Sequence, residues 1–195
     1  MIDIQNQTPK ILVIGDLMID HYLWGSCERI SPEAPVQVVN IDNESTSLGG
    51  AGNVVNNLTA LGAKVDVISV VGECLVSEEL KELLINIDVD TQYLITQKNR
   101  ITSKKSRIIA SQQQVIRYDR EITDDINAKS QLSIIESFKK IVNNYDVILL
   151  SDYGKGLLTF ELTQSLISIA NEKNKKLLVD PKGLDYSKYN GAYLL

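Results

Sequence analysis

Apolar residues are placed along this chain in two alternating rhythms. Short unbroken runs occur in Lys10–Ile14, Val65–Val71, Val147–Leu150 and Leu177–Val179, each bounded by polar residues or glycine. Runs of this length, rich in β-branched residues, predict parallel strands covered on both faces. Tyr193–Leu195 offers a possible last strand. Between the runs, apolar positions return at helical spacing. They are Leu80, Leu83, Leu84 and Ile87 in Glu78–Ile87, and Leu132, Ile135, Phe138 and Val142 in Ala128–Val142. Thr159–Ala170 repeats the pattern at Leu162, Leu166, Ile169 and Ala170. A further helix opens at Gly49-Gly50-Ala51-Gly52-Asn53, continues through Val54, Val55, Leu58 and Leu61, and closes at Gly62. Strand–helix–strand alternation predicts right-handed βαβ units in an open, mostly parallel α/β sheet. Ligands of such sheets bind at the carboxyl ends of the strands.

Two stretches break the rhythm. Tyr22–Ile41 holds Tyr22, Trp24 and, after two prolines, Val36-Gln37-Val38-Val39. Arg100–Tyr118 has no helical period but has β-type pieces at Ile108–Ile109 and Val115–Tyr118. Each is too polar and short for a core layer of its own. Together they predict a small second sheet, a lid over the open edge of the main one.

Composition narrows the classes. With 195 residues and 44% hydrophobic content, the chain can bury one main core. A net charge of −5 and only short basic clusters argue against a nucleic-acid footprint. Cys27 and Cys74 are far apart and lack metal-site spacing, so they read as reduced thiols. No apolar run approaches the ~18 residues of a membrane span. The start, Met1 to Lys10, is polar and unlike a signal peptide. A soluble, cytoplasmic protein is expected.

The candidate chemistry gathers where strands should end. Three glycines in four positions let a backbone approach a ligand closely, and the helix start behind them presents N–H groups and a positive dipole end. Asn53 adds an amide in the first turn. Asp16 and Asp20 follow the first strand, and a carboxylate suits vicinal sugar hydroxyls because it accepts two hydrogen bonds at once. Ser151-Asp152-Tyr153-Gly154-Lys155-Gly156 and Asp180-Pro181-Lys182-Gly183 follow two later strands, placing acids, lysines and glycines there. Other schemes fare poorly. The single histidine, His21, excludes a histidine-based metal cluster and reads as a lid or surface residue. There is no Gly-x-x-x-x-Gly-Lys-[Ser/Thr] run. A dinucleotide fingerprint at Gly50-Ala51-Gly52, with Glu73 downstream, fails at Val55 and lacks a buried strand before it.

These residues resemble the ribokinase-like sugar kinases. The resembling stretches are Ile14–Asp20, Arg29-Ile30-Ser31-Pro32-Glu33-Ala34-Pro35-Val36, Leu48–Val54, Ser151–Gly156 and Asp180–Gly183, in family order over nearly the whole chain. Gly62 and Gly72 fall at the family's spaced glycines, whereas Val55 replaces a small residue of its signature. The run Arg29–Val36 is similar to the branch that phosphorylates D-glycero-β-D-manno-heptose 7-phosphate for the lipopolysaccharide core. In many bacteria such a kinase is the first part of a bifunctional kinase and adenylyltransferase. The resemblance implies ATP and Mg²⁺ as cofactors, a sugar phosphate as partner, and often a homodimer paired through the lids. It implies Asp16, Asp20, Gly49, Gly50 and Asn53 on sugar hydroxyls, and Arg107 and Arg117 on the sugar's own phosphate. Lys155 and Lys182 are implied to face nucleotide phosphates. The family's Gly-x-Gly-Asp anion hole, with its catalytic aspartate, has no match in these residues. The expectation is therefore the sugar-binding front portion of a kinase domain, with no catalytic residue of its own. Another ribokinase-like kinase and a non-catalytic sugar-phosphate binder remain as alternatives.

Overall fold

The computed structural model describes residues 8–195, so the polar start up to Gln7 lies outside the described residues. A five-stranded sheet forms the centre, built from β1 (Lys10–Gly15), β4 (Lys64–Gly72), β5 (Leu94–Gln97), β8 (Val147–Ser151) and β9 (Lys176–Asp180). Its order is β5-β4-β1-β8-β9, and every pairing is parallel. Alternate residues of β1 serve different layers, because successive strand side chains point to opposite faces. Leu12 and Ile14 pack with α3 (Ala128–Ile141) and α4 (Phe160–Glu172) through Ile134, Phe138, Leu162 and Leu166. Val13 packs on the other side with α1 (Ala51–Ala60) and α2 (Leu75–Ile85) through Val55, Leu80 and Leu84. The two layers explain why these strands read as continuous apolar runs.

The strand order also locates the ligand crevice. From β1 the sheet grows through β4 and β5 in one direction, and through β8 and β9 in the other. The chain reverses its winding between β1 and β8. Crevices in open α/β sheets form outside the carboxyl ends of strands at such a switch point.

Local capping agrees with the sequence. Asn127 Oδ1 accepts from Ser130 N–H at 2.8 Å, and Thr159 Oγ1 accepts from Leu162 N–H at 3.1 Å. Thr159 is thus the N-cap of α4 and not its first helical residue. Helix α2 begins at Leu75, earlier than the expected Glu78, and stops short of Ile87. Strand β5 escapes the sequence reading because only Leu94 and Ile95 of its residues are apolar. The expected strand Tyr193–Leu195 reduces to a single parallel bridge between Leu194 and Leu178.

The lid is larger than expected. Its four strands, β2 (Leu17–Ile30), β3 (Gln37–Gly50), β6 (Ser103–Ala110) and β7 (Gln113–Arg120), lie in the order β3-β2-β6-β7. The segment Asn40–Leu48, too polar to read as a buried strand, is the body of β3. Polar residues suffice there because the outer part of the β2–β3 ribbon is largely exposed. The ladder runs from Leu17↔Gly50 outward, so the lid grows directly from the crevice. No described helix is long and apolar enough to cross a membrane.

Candidate sugar and nucleotide site

Asp20 is the polar residue that the lid brings onto the glycine-rich helix start. It sits on β2 and not in a strand-end turn, in register with Ser47 and Lys105. A Cβ on Gly49 would lie 2.5 Å from Asp20 Oδ2, so only glycine lets β3 pass the carboxylate at this distance. Gly50 then turns the chain into α1 with φ +56°, a conformation that L side chains rarely adopt. Ala51 N–H donates to the Asp16 carbonyl at 3.0 Å, fixing the helix start to the end of β1. No side chain caps α1, unlike α3 and α4. Asn53 is exposed in its first turn.

Arg107 meets Asp20 directly through Nη1 and Oδ1, with both side chains about one-fifth exposed, 21% and 20%. Its guanidinium also lies over the Tyr22 ring, 5.2 Å from the centroid, and Tyr22 stacks on Trp24. Asp20, Tyr22 and Trp24 alternate along β2 and so share one lid face. Arg117 is the direct cross-strand partner of Arg107 on β7, and its Nε lies 3.1 Å from Asp119 Oδ1. Two guanidinium groups opposite one another repel unless anions lie near them.

Asp16 is placed differently from the sugar-facing role expected of it. Its side chain is buried, with 3% exposure for the residue. Oδ2 accepts from the N–H groups of Tyr153 and Lys155 at 2.9 and 3.1 Å, and Oδ1 from Leu157 at 3.2 Å. The carboxylate therefore holds the loop after β8. Burial pushes its pKa above the ordinary carboxylate value, against the lowering effect of those N–H groups. Arg100, which the sequence reading passed over, tightens the same loop. It is 9% exposed, and its guanidinium donates to the carbonyls of Lys155 and Asp124.

Lys155, expected to face nucleotide phosphates, is paired within the protein. Its Nζ lies 2.8 Å from Glu121 Oε1, toward the lid. Lys182 is exposed and stands beside Gly154, where an added Cβ would lie 3.6 Å from the lysine Cγ. Between them Asp152, 3% exposed, receives the Tyr189 hydroxyl at 2.7 Å and Lys188 Nζ at 2.6 Å. Asp152 N–H donates to the Asp180 carbonyl at 3.0 Å, which joins the ends of β8 and β9. Lys188 and Tyr189 carried no sequence signal, because they lie far along the chain in a short 3-10 turn, Ser187–Tyr189. His21 is a lid residue, bonded through Nδ1 to Ser106 Oγ at 3.1 Å and through Nε2 to Glu44 Oε2 at 3.2 Å. Cys27 and Cys74 are free thiols.

The profile of the pfkB family of carbohydrate kinases matches residues 8–193. The bifunctional protein HldE of Aliarcobacter butzleri is 64% identical over 190 residues, which are 97% of this chain and 40% of that protein. The chain thus spans about two fifths of the length of the curated relatives it matches. Among solved structures, the tetrameric inhibited form of phosphofructokinase-2 from Escherichia coli superposes with a TM-score of 0.70 at 18% identity, covering 94% of this chain and 58% of that one. The Arabidopsis thaliana ribokinase complexed with ribose and ATP gives 0.61 at 14% identity, covering 91% and 55%. These two likenesses show the fold, a parallel α/β sheet flanked by helices.

Proposed function

The chain belongs to the pfkB family of carbohydrate kinases, and on that premise we propose that it is the sugar-binding part of an ATP-dependent heptose-phosphate kinase. Membership in this family implies ATP use. The proposed reaction transfers a phosphoryl group to the anomeric hydroxyl of D-glycero-β-D-manno-heptose 7-phosphate, giving the 1,7-bisphosphate for ADP-heptose and lipopolysaccharide core synthesis. The heptose-type run Arg29–Val36 and the 64% identity to a bifunctional HldE protein support this substrate.

One observation carries the reading: the Asp20 carboxylate lies against Gly49 at the uncapped start of α1, beside the crevice at the β1–β8 switch point. There Asp20 accepts two sugar hydroxyls, the Gly49–Gly50 backbone approaches the ring, and Asn53 adds an amide. Arg107 and Arg117, opposite one another on the lid, take the 7-phosphate. Lys182, exposed beside the open backbone of Gly154, fits nucleotide phosphates. Asp16 and Lys155 act on loop position and not on ligand. Bound ATP supplies the transferred phosphoryl. Among the described residues no three acidic, imidazole or thiol side chains gather into a metal site, and on this reading the nucleotide phosphates would carry Mg²⁺. The enzyme works in the cytoplasm on this reading.

Replacing Asp20 with Ala is expected to weaken heptose 7-phosphate binding by ~1–3 kcal/mol, since the sugar hydroxyls lose their acceptor. A calorimetric titration measures this, and an unchanged affinity removes Asp20 from the sugar site. Other sugar phosphates and nucleosides in the same cell separate the heptose reading from its alternatives. A homodimer through the lid is also proposed. Trp24, Ile30, Val36 and Ile116 are 43–60% exposed on the lid and its connecting loop, more apolar surface than a small sheet covers alone. Light scattering at tens of micromolar should give twice the chain mass. A strict monomer with an ordered lid contradicts the pairing.

A further inference from the structure

We propose that Glu121 is a positioning residue that locks the lid to the end of the central sheet, setting sugar-phosphate affinity without touching the sugar. The proposal rests on the reading that the lid covers the sugar site. Glu121 stands where the chain leaves β7. Each of its carboxylate oxygens receives one lysine, and the two lysines belong to different parts of the molecule. Oε1 lies 2.8 Å from Lys155 Nζ, on the loop after β8. Oε2 lies 2.9 Å from Lys105 Nζ, on lid strand β6. Lys105 Nζ also reaches Asp119 Oδ2 at 2.8 Å, directly across the β6–β7 ladder.

An ion-pair chain therefore runs from the sheet end through Lys155, Glu121 and Lys105 to Asp119, and Arg117 joins it through Asp119. Lys105 is the register partner of Asp20, and Arg107 lies two residues further on the same strand and face. The chain thus ends beside the groups assigned to the sugar and its phosphate. Its other end is rigid, because Asp16 and Arg100 hold the loop that carries Lys155.

Single surface ion pairs contribute little, since two mobile side chains must be ordered for one contact. Three features set this one apart. Lys105, Lys155, Asp119 and Glu121 are only 16–22% exposed at the side chain, so screening is reduced. The charges form a network and not an isolated pair. One end is already immobile. Burial raises the Glu121 carboxyl, and the two lysines outweigh it, leaving the group below its ordinary value. No other described carboxylate pairs with both a lid lysine and a lysine of the loop after β8.

The test is the nearly isosteric Glu121→Gln change in the protein as its full gene encodes it, read by amide hydrogen exchange and by kinetics. Exchange at Lys104–Arg107 and Tyr118–Arg120 should quicken about threefold to tenfold at low salt, with β1 and β8 unchanged. KM for heptose 7-phosphate should rise by a similar factor, with kcat within about twofold. Lys155→Met should reproduce these effects and add nothing in the Glu121→Gln background, because one network is lost once. Unchanged lid exchange in Glu121→Gln overturns the proposal. So does full additivity with a raised KM for ATP in Lys155→Met, which puts Lys155 on the nucleotide instead. Altered exchange in a protein that does not bind heptose 7-phosphate keeps the lock and removes the substrate reading.

Discussion

Asp16→Ala is expected to destabilise the fold by about 2–4 kcal/mol, the largest stability loss at any site residue described above. The carboxylate is buried and accepts the N–H groups of Tyr153, Lys155 and Leu157. Without it those donors are orphaned in a loop that also lies over the sheet end. Each orphaned donor costs ~1–3 kcal/mol, and partial hydration of a relaxed loop recovers some of that sum. Buried Arg100 loses a nearby opposite charge as well. For a domain of this size the midpoint should fall by about 5–15 °C in a thermal melt followed by circular dichroism. Asp16→Asn keeps one acceptor oxygen and should fall between the two. An Asp16→Ala melt identical to that of the unchanged protein would show that the loop after β8 does not rest on this carboxylate.

Residues 1–195 purified alone should release no ADP above a no-enzyme blank when given ATP, Mg²⁺ and heptose 7-phosphate. Phosphoryl transfer depends on positioning and preorganised charge, with a base to receive the hydroxyl proton. In the family this chain belongs to, the resemblance assigns both to a Gly-x-Gly-Asp run, and these residues contain none. Three of the four candidate acids are engaged otherwise. Asp16 holds loop amides, Asp20 meets Arg107, and Asp152 receives Lys188 and Tyr189. Asp180 lies at the exposed end of β9. Weak sugar-phosphate binding is expected to persist, since Asp20, Gly49 and Arg107 keep their geometry. A coupled assay detects ADP directly. Sugar-dependent turnover well above the blank would place the base within these residues and redraw the site.

What the amino-acid order determined by itself was the layered α/β fold and the ends at which ligand chemistry collects. Strands buried on both faces must be apolar at every position, and helices packed on one face must repeat at 3.6 residues. Both patterns are local, so β1, β4, β8, β9 and the four helices were readable from periodicity. The glycine-rich helix start was equally legible, because no other residue tolerates the close approach at Gly49 or the backbone of Gly50. The lid strands were only half legible. A ribbon exposed on both faces, such as Asn40–Ser47, needs no apolar alternation, so its residues look like loop.

Only the tertiary structure decided which charge meets which. Asp16 and Asp20 stand four residues apart in the same short motif, yet one is buried under loop amides and the other sits on lid strand β2, paired with Arg107. Their difference comes from where β1 ends and β2 begins, set by packing partners far along the chain. Lys155 shows the same limit. A lysine between glycines at a strand end suggests phosphate, but its long side chain reaches Glu121, 34 residues earlier, at 2.8 Å. Hydrophobic period is written residue by residue along a strand or helix. Charge pairing depends on distances across the fold, which leave no period in the sequence.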